Sequence, residues 1–159
     1  MSVKIHTPPV RLAKLLRAPG GLPVAEAVQR AGAGLLSLRK DCLVELKAVL
    51  EEADAIAARA GETFQADLLA QLYTVVSKPI GVPSTCGLAA VDTALISLSD
   101  LLDYLKGQQR WDANAVAVHL RAFRLLLQTE GAADAAGTQA ILAGLRQISQ
   151  RYARPDAGA

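Results

Sequence analysis

Apolar residues recur at steps of three and four along most of this chain, and β-branched residues are scattered instead of alternating with polar ones. That periodicity predicts helices and no half-buried strands. The cleanest stripe is Leu88, Val91, Leu95, Leu98, Leu102 and Leu105, the expected seam of a helix packed among near-antiparallel neighbours and ended by Gly107. Before it, a long pattern opens at Pro23 and runs to Gly61 through Val24, Val28, Ala31, Leu35, Leu38, Cys42, Leu46, Val49, Ala53 and Ile56. Unbroken, such a helix would reach about 55 Å at 1.5 Å per residue, against a radius of gyration near ~15 Å for a chain of this size. The expectation is therefore an overhang or, better, a bend at Gly32 and Gly34.

The remaining stripes are shorter. Thr63 is the expected N-cap of a helix carrying Leu68, Leu69, Leu72, Val75 and Val76, which Pro79, Gly81 and Pro83 end or distort. Ser84 or Thr85 is the expected cap of the seam helix. Asp112 should cap a helix with Val116, Leu120, Phe123 and Leu127 facing inward and Gly131 as its stop. Asp134 is the expected start of a last helix bearing Ile141, Leu145, Ile148 and Tyr152. Ahead of all these, Val10–Ala18 reads as a short helix closed by Pro19, Gly20 and Gly21. Short connections make sequential helices antiparallel. The predicted fold is all-α, an up-and-down antiparallel four-helix bundle with an additional N-terminal helix. Its parts are a basic arm (1–22), the bundle domain (23–153) and a disordered tail (154–159).

Composition agrees with this reading. The chain has 159 residues, 52% hydrophobic but only 4% aromatic, so leucine and alanine, both strong helix formers, must build the core. Net charge is only +2, but residues 1–40 carry seven bases against Glu26, and residues 41–103 carry ten acids against Lys47, Arg59 and Lys78. The basic arm either contacts an anionic partner or folds back on its own acidic face. Near-neutral charge and few aromatics to stack on bases exclude nucleic acid as the expected partner. No apolar run reaches membrane-spanning length, and the N-terminus lacks a signal-peptide pattern, so the expected location is cytoplasmic. Cys42 and Cys86, without neighbouring ligand spacing, read as small apolar core side chains.

Catalytic signals are sparse. Glu51 with Glu52 and Asp100 with Asp103 fall on solvent-facing helix positions, and no phosphate-binding glycine loop, zinc spacing or nucleophile elbow is present. No cofactor, metal or enzymatic activity is expected. His119 sits beside the stripe of its helix and has no acid or cysteine at i±3 or i±4; a packing role and an atypical phosphoacceptor role both remain open.

The stretch SKPIGVPSTCG, residues 77–87, resembles the signature of histidine phosphotransfer domains, four-helix bundles of two-component signalling. That family places a histidine on the second bundle helix, a lysine three residues later, and glycines four and ten residues later. Gly81 and Gly87 occupy both glycine slots here, and the leucine seam follows. Ser77 stands in the histidine slot and Ile80 in the lysine slot, with Lys78 nearby. A serine phosphoester is too stable to relay the group, so the resemblance implies a docking surface without the relay chemistry. The stretches RLAKLLRAPGGLPVAEAVQRA (11–31), SLSDLLDYL (97–105) and RWDANAVAVHLRAFRLL (110–126) further resemble the CheE proteins of alphaproteobacterial chemotaxis. Together the two resemblances imply a non-catalytic chemotaxis adaptor whose partner is a response-regulator receiver domain or a chemotaxis kinase. Ser77, Lys78, Gly81 and Ser84 would form the docking face, with Arg11, Lys14 and Arg17 of the arm as a second contact. Two alternatives stand beside this reading: a genuine phosphotransfer protein using His119, and a structural or oligomeric helical protein joined through its long first helix.

Overall fold

A computed structural model describes residues 20–129 and 135–153. The described residues are all-helical, with no strand. In chain order the helices are α1 (Val24–Ala60), α2 (Ala66–Ser77), the single-turn α3 (Val82–Thr85), α4 (Ala89–Gly107), α5 (Ala113–Gln128) and α6 (Ala135–Ala153). None is long and apolar enough to cross a membrane. Two compact units divide the chain between Gly34 and Leu35.

In the first unit, the start of α1 carries the i,i+4 ion pair Glu26–Arg30 at 2.7 Å, with Val24 80% and Val28 66% exposed. The helical state continues through Gly32 and Gly34.

In the second unit, α2, α3, α5 and α6 all pack on α4, which is the centre of the core. Every residue of the predicted seam, Leu88 to Leu105, is buried. Buried Ala94, Leu101, Asp92, Ser97 and Ser99 widen that face well beyond the seam. A central helix meets neighbours on several sides, so polar positions between its leucines are enclosed too. From α1, Leu46, Val49, Ala53 and Ile56 join the same cluster. Leu35 and Leu38, predicted to continue that stripe inward, are exposed. The inward residues expected of the two last helices are buried or packed against the core.

Helix ends correct two expectations. Thr63 is not the cap of α2; that position is Gln65, which makes no side-chain cap bond. The chain turns at Gly61 in the left-handed region (φ 59°), and Thr63 donates its N–H to Ala60 O. Ser84 and Thr85 do not cap α4 either: both lie inside α3, and the α4 N-cap is Leu88. Asp112 does cap α5, its Oδ1 accepting from Ala115 N at 2.8 Å. Its Oδ2 accepts from Tyr152 Oη at 2.5 Å, fastening the end of α6 to the start of α5. These bonds hold the Asp112 carboxyl below its ordinary range, and burial with the Asp112 bond pushes the Tyr152 phenol up to about 12. Gly131 and Asp134 lie outside the described residues.

Candidate functional site

The connection from α2 to α4 carries the residues singled out by the phosphotransfer resemblance. Helix α2 stops at Ser77 because Pro79 lacks the N–H that would continue the ladder. The Ser77 hydroxyl turns back along its own helix and donates to Tyr73 O at 2.6 Å. Lys78 is exposed, while Ile80 packs against the core and so cannot act as the surface residue its slot would require. Gly81 (φ 92°) and Gly87 (φ 75°) both lie in the left-handed region that side chains avoid. The backbone path accounts for both glycines. Gly81 therefore does not share a helix face with Ser77, and the geometry of a phosphotransfer helix is not reproduced around it.

What organises this connection is a residue sequence reasoning missed. Asp92, in the first turn of α4 and only 7% exposed, accepts from Gly81 N at 2.7 Å through Oδ1 and from Ser84 Oγ at 2.5 Å through Oδ2. Both carboxylate oxygens are thus spent on the loop, in charge-assisted bonds that are stronger than neutral ones. The loop is further pinned by Leu88 N–H to Pro83 O at 2.8 Å. On its other side Arg39 of α1 donates Nη1 to Cys86 O at 3.0 Å. A side chain at Gly87 would place its Cβ 3.2 Å from that guanidinium. The outcome is a braced turn presenting Lys78, Gly81, Val82, Ser84 and Thr85 to solvent. An acid four residues into a helix that follows a Gly/Ser/Thr-rich turn was the one signal available for Asp92.

His119 lies deeper than the stripe-edge position its spacing suggests, in a packing environment. It is 1% exposed, deep beneath the stripe edge, and both ring nitrogens are engaged. The Ala115 carbonyl can only accept, so Nδ1 carries the hydrogen of their 2.8 Å bond. Nε2 of the neutral ring then accepts from Ser97 Oγ at 3.1 Å, and Ser97 accepts from Ser149 Oγ at 3.1 Å. Burial lowers the His119 pKa from its ordinary 6.5, which keeps the ring neutral. This arrangement ties α4, α5 and α6 together, and it gives a phosphoryl donor no route to either nitrogen. A cleft of about 260 Å³ between α4 and α6, lined by Ile96, Asp100, Tyr104 and Arg146 among others, reaches Ser97 and Ser149.

Among the described residues no group of three His, Cys, Asp or Glu side chains could hold a metal ion. Glu51, Glu52, Asp100 and Asp103 are all exposed, as solvated faces require. A second cleft, about 270 Å³ between α1 and α5, is walled by Trp111, Arg121 and the Arg124–Asp54 ion pair. Arg11, Lys14 and Arg17 lie outside the described residues. Compared with family models, curated proteins and solved structures, the chain matches none.

Proposed function

We propose that this chain is a non-catalytic, cytoplasmic adaptor of a chemotaxis-type two-component phosphorelay, a phosphotransfer-shaped helical bundle that docks response-regulator receiver domains. The observation that supports it is the braced turn: Asp92 holds Gly81 and Ser84, and Lys78 and Val82 stand exposed on one rigid loop. A docking surface gains affinity when its shape is fixed before the partner arrives. Lys78 supplies a cation for an anionic, phosphoryl-bearing partner, and Val82 an apolar contact. The turned-back hydroxyl of Ser77 fits a partner-binding role without group transfer.

The experiment is a calorimetric titration of the full chain against a panel of chemotaxis receiver domains. Binding to at least one is expected, with Lys78→Glu and Val82→Asp each weakening it about tenfold, or ~1.4 kcal/mol. No binding to any receiver overturns the proposal.

A second reading, self-association through α1, is favoured by one specific feature. Val24, Val28, Leu35 and Leu38 are exposed and follow a spacing of four, seven and three, the rhythm of a coiled-coil seam. The neighbouring Ala25, Ala27, Gly32 and Gly34 are small and uncharged, so a second copy could approach closely. Sedimentation equilibrium distinguishes the readings: a dimer that Leu35→Lys converts to monomer supports this one, and a wild-type monomer at high concentration rejects it.

A further inference from the structure

We infer that Cys42 and Cys86 form a redox-modification site, a thiol pair that a small-molecule disulfide converts into an intramolecular bridge between α1 and the turn after α3. They are the two cysteines of the chain, and both are free thiols. Cys42 is buried on α1, and Cys86, the C-cap of α3, is half-buried against the same apolar cluster. Arg39 precedes Cys42 by about one turn and lies on the same side of α1. Its bonds to Cys86 O (3.0 Å) and Gly87 O (3.4 Å) draw the Cys86 backbone against that face. Cys86 packs against the buried cluster that contains Cys42, near enough for its side chain to bear on the Cys42 thiol. Sequence separation hid this pairing, which exists because the loop folds back on α1.

The two sulfurs differ in access, and that difference sets the order of events. Cys42 is enclosed, and burial followed by the neighbouring Cys86 side chain pushes its thiol up to about 11, so it reacts second. The Cys86 thiolate attacks one sulfur of oxidised glutathione, forming a mixed disulfide and releasing one glutathione thiolate. Cys42 gives its proton to solvent and attacks Cys86 Sγ. The Cys42–Cys86 bond forms, and the second glutathione thiolate leaves. Two electrons pass from the protein thiols to the glutathione disulfide, and two protons are released. The bridge would pin the braced turn to α1 covalently where Arg39 now holds it by hydrogen bonds. This inference stands whether or not the turn docks a receiver.

The test is incubation of the full chain with oxidised glutathione, followed by thiol titration, mass spectrometry and thermal melting. The expected product has no free thiols, a mass lower by two hydrogens and no adduct. Its Tm should rise by roughly 5–10 °C, reversed by reductant. The Cys42→Ala variant should stop at a stable glutathione adduct on Cys86, and Cys86→Ser should stay unmodified. A wild-type chain that retains both thiols, accumulates the adduct without closing, or links to a second chain overturns the inference. Peptide mapping of the wild-type product locates the bridge directly, even where a variant folds poorly.

Discussion

His119→Ala is expected to lower the unfolding free energy by about 3–4 kcal/mol, the largest loss from a single polar side chain in this fold. The truncation leaves a cavity where an enclosed ring stood, and it strips Ser97 of the acceptor for its hydroxyl. His119→Leu separates the two causes. It fills most of the volume, and Ser97 can turn its hydroxyl to the carbonyl one helical turn back, so a cost nearer ~1 kcal/mol is expected. Urea denaturation measures both; equal losses in the two variants would refute a role for the hydrogen-bonded network.

The same residue makes stability depend on pH in a defined window. Its folded-state pKa lies below the ordinary 6.5, so below pH 6.5 the unfolded chain binds a proton that the folded chain refuses. The stabilisation is therefore complete above pH 6.5 and is lost as pH falls through the folded-state value. The slope within that window reaches at most about 1.4 kcal/mol per pH unit. Subtracting the His119→Leu profile from wild type isolates it, because Asp112 loses its contribution only at lower pH, below its ordinary 3.8.

Asp92→Ala is expected to cost about 2–3 kcal/mol, since two charge-assisted bonds disappear at once. The loss should be local as well as global: the Gly81 amide should exchange hydrogen much faster, and the turn should lose its fixed shape. Asp92→Asn offers the sharper reading. Its amide oxygen can still accept from Gly81 N–H, and its nitrogen can donate to the Ser84 hydroxyl, which accepts as readily as it donates. A loss of only ~1 kcal/mol, with Gly81 still protected, is expected. If the alanine variant left Gly81 exchange unchanged, the brace would not be what orders the loop.

The physical origin of each feature explains how much of it could be read in advance. Helix positions were legible because they follow from local periodicity. The Leu88–Leu105 seam, the Asp112 cap and the stop at Pro79 each depend on residues within a turn or two of one another. Burial on the other sides of α4 was not: Ser97, for one, sits off the stripe and is enclosed only when His119 of α5 and Ser149 of α6 arrive. The candidate site shows the same division. Gly81 and Gly87 were visible as glycines in a patterned turn, but a pattern cannot distinguish a small docking residue from a backbone that must adopt positive φ.

The sequence alone determined an all-helical chain with a leucine core and a proline-interrupted turn before its central helix, since propensity and spacing are properties of neighbours. Tertiary structure alone decided that Asp92 closes that turn, that His119 is enclosed and neutral, and that Cys86 meets Cys42. Each of these joins residues from different elements, and such contacts exist only once hydrophobic burial has brought the helices together.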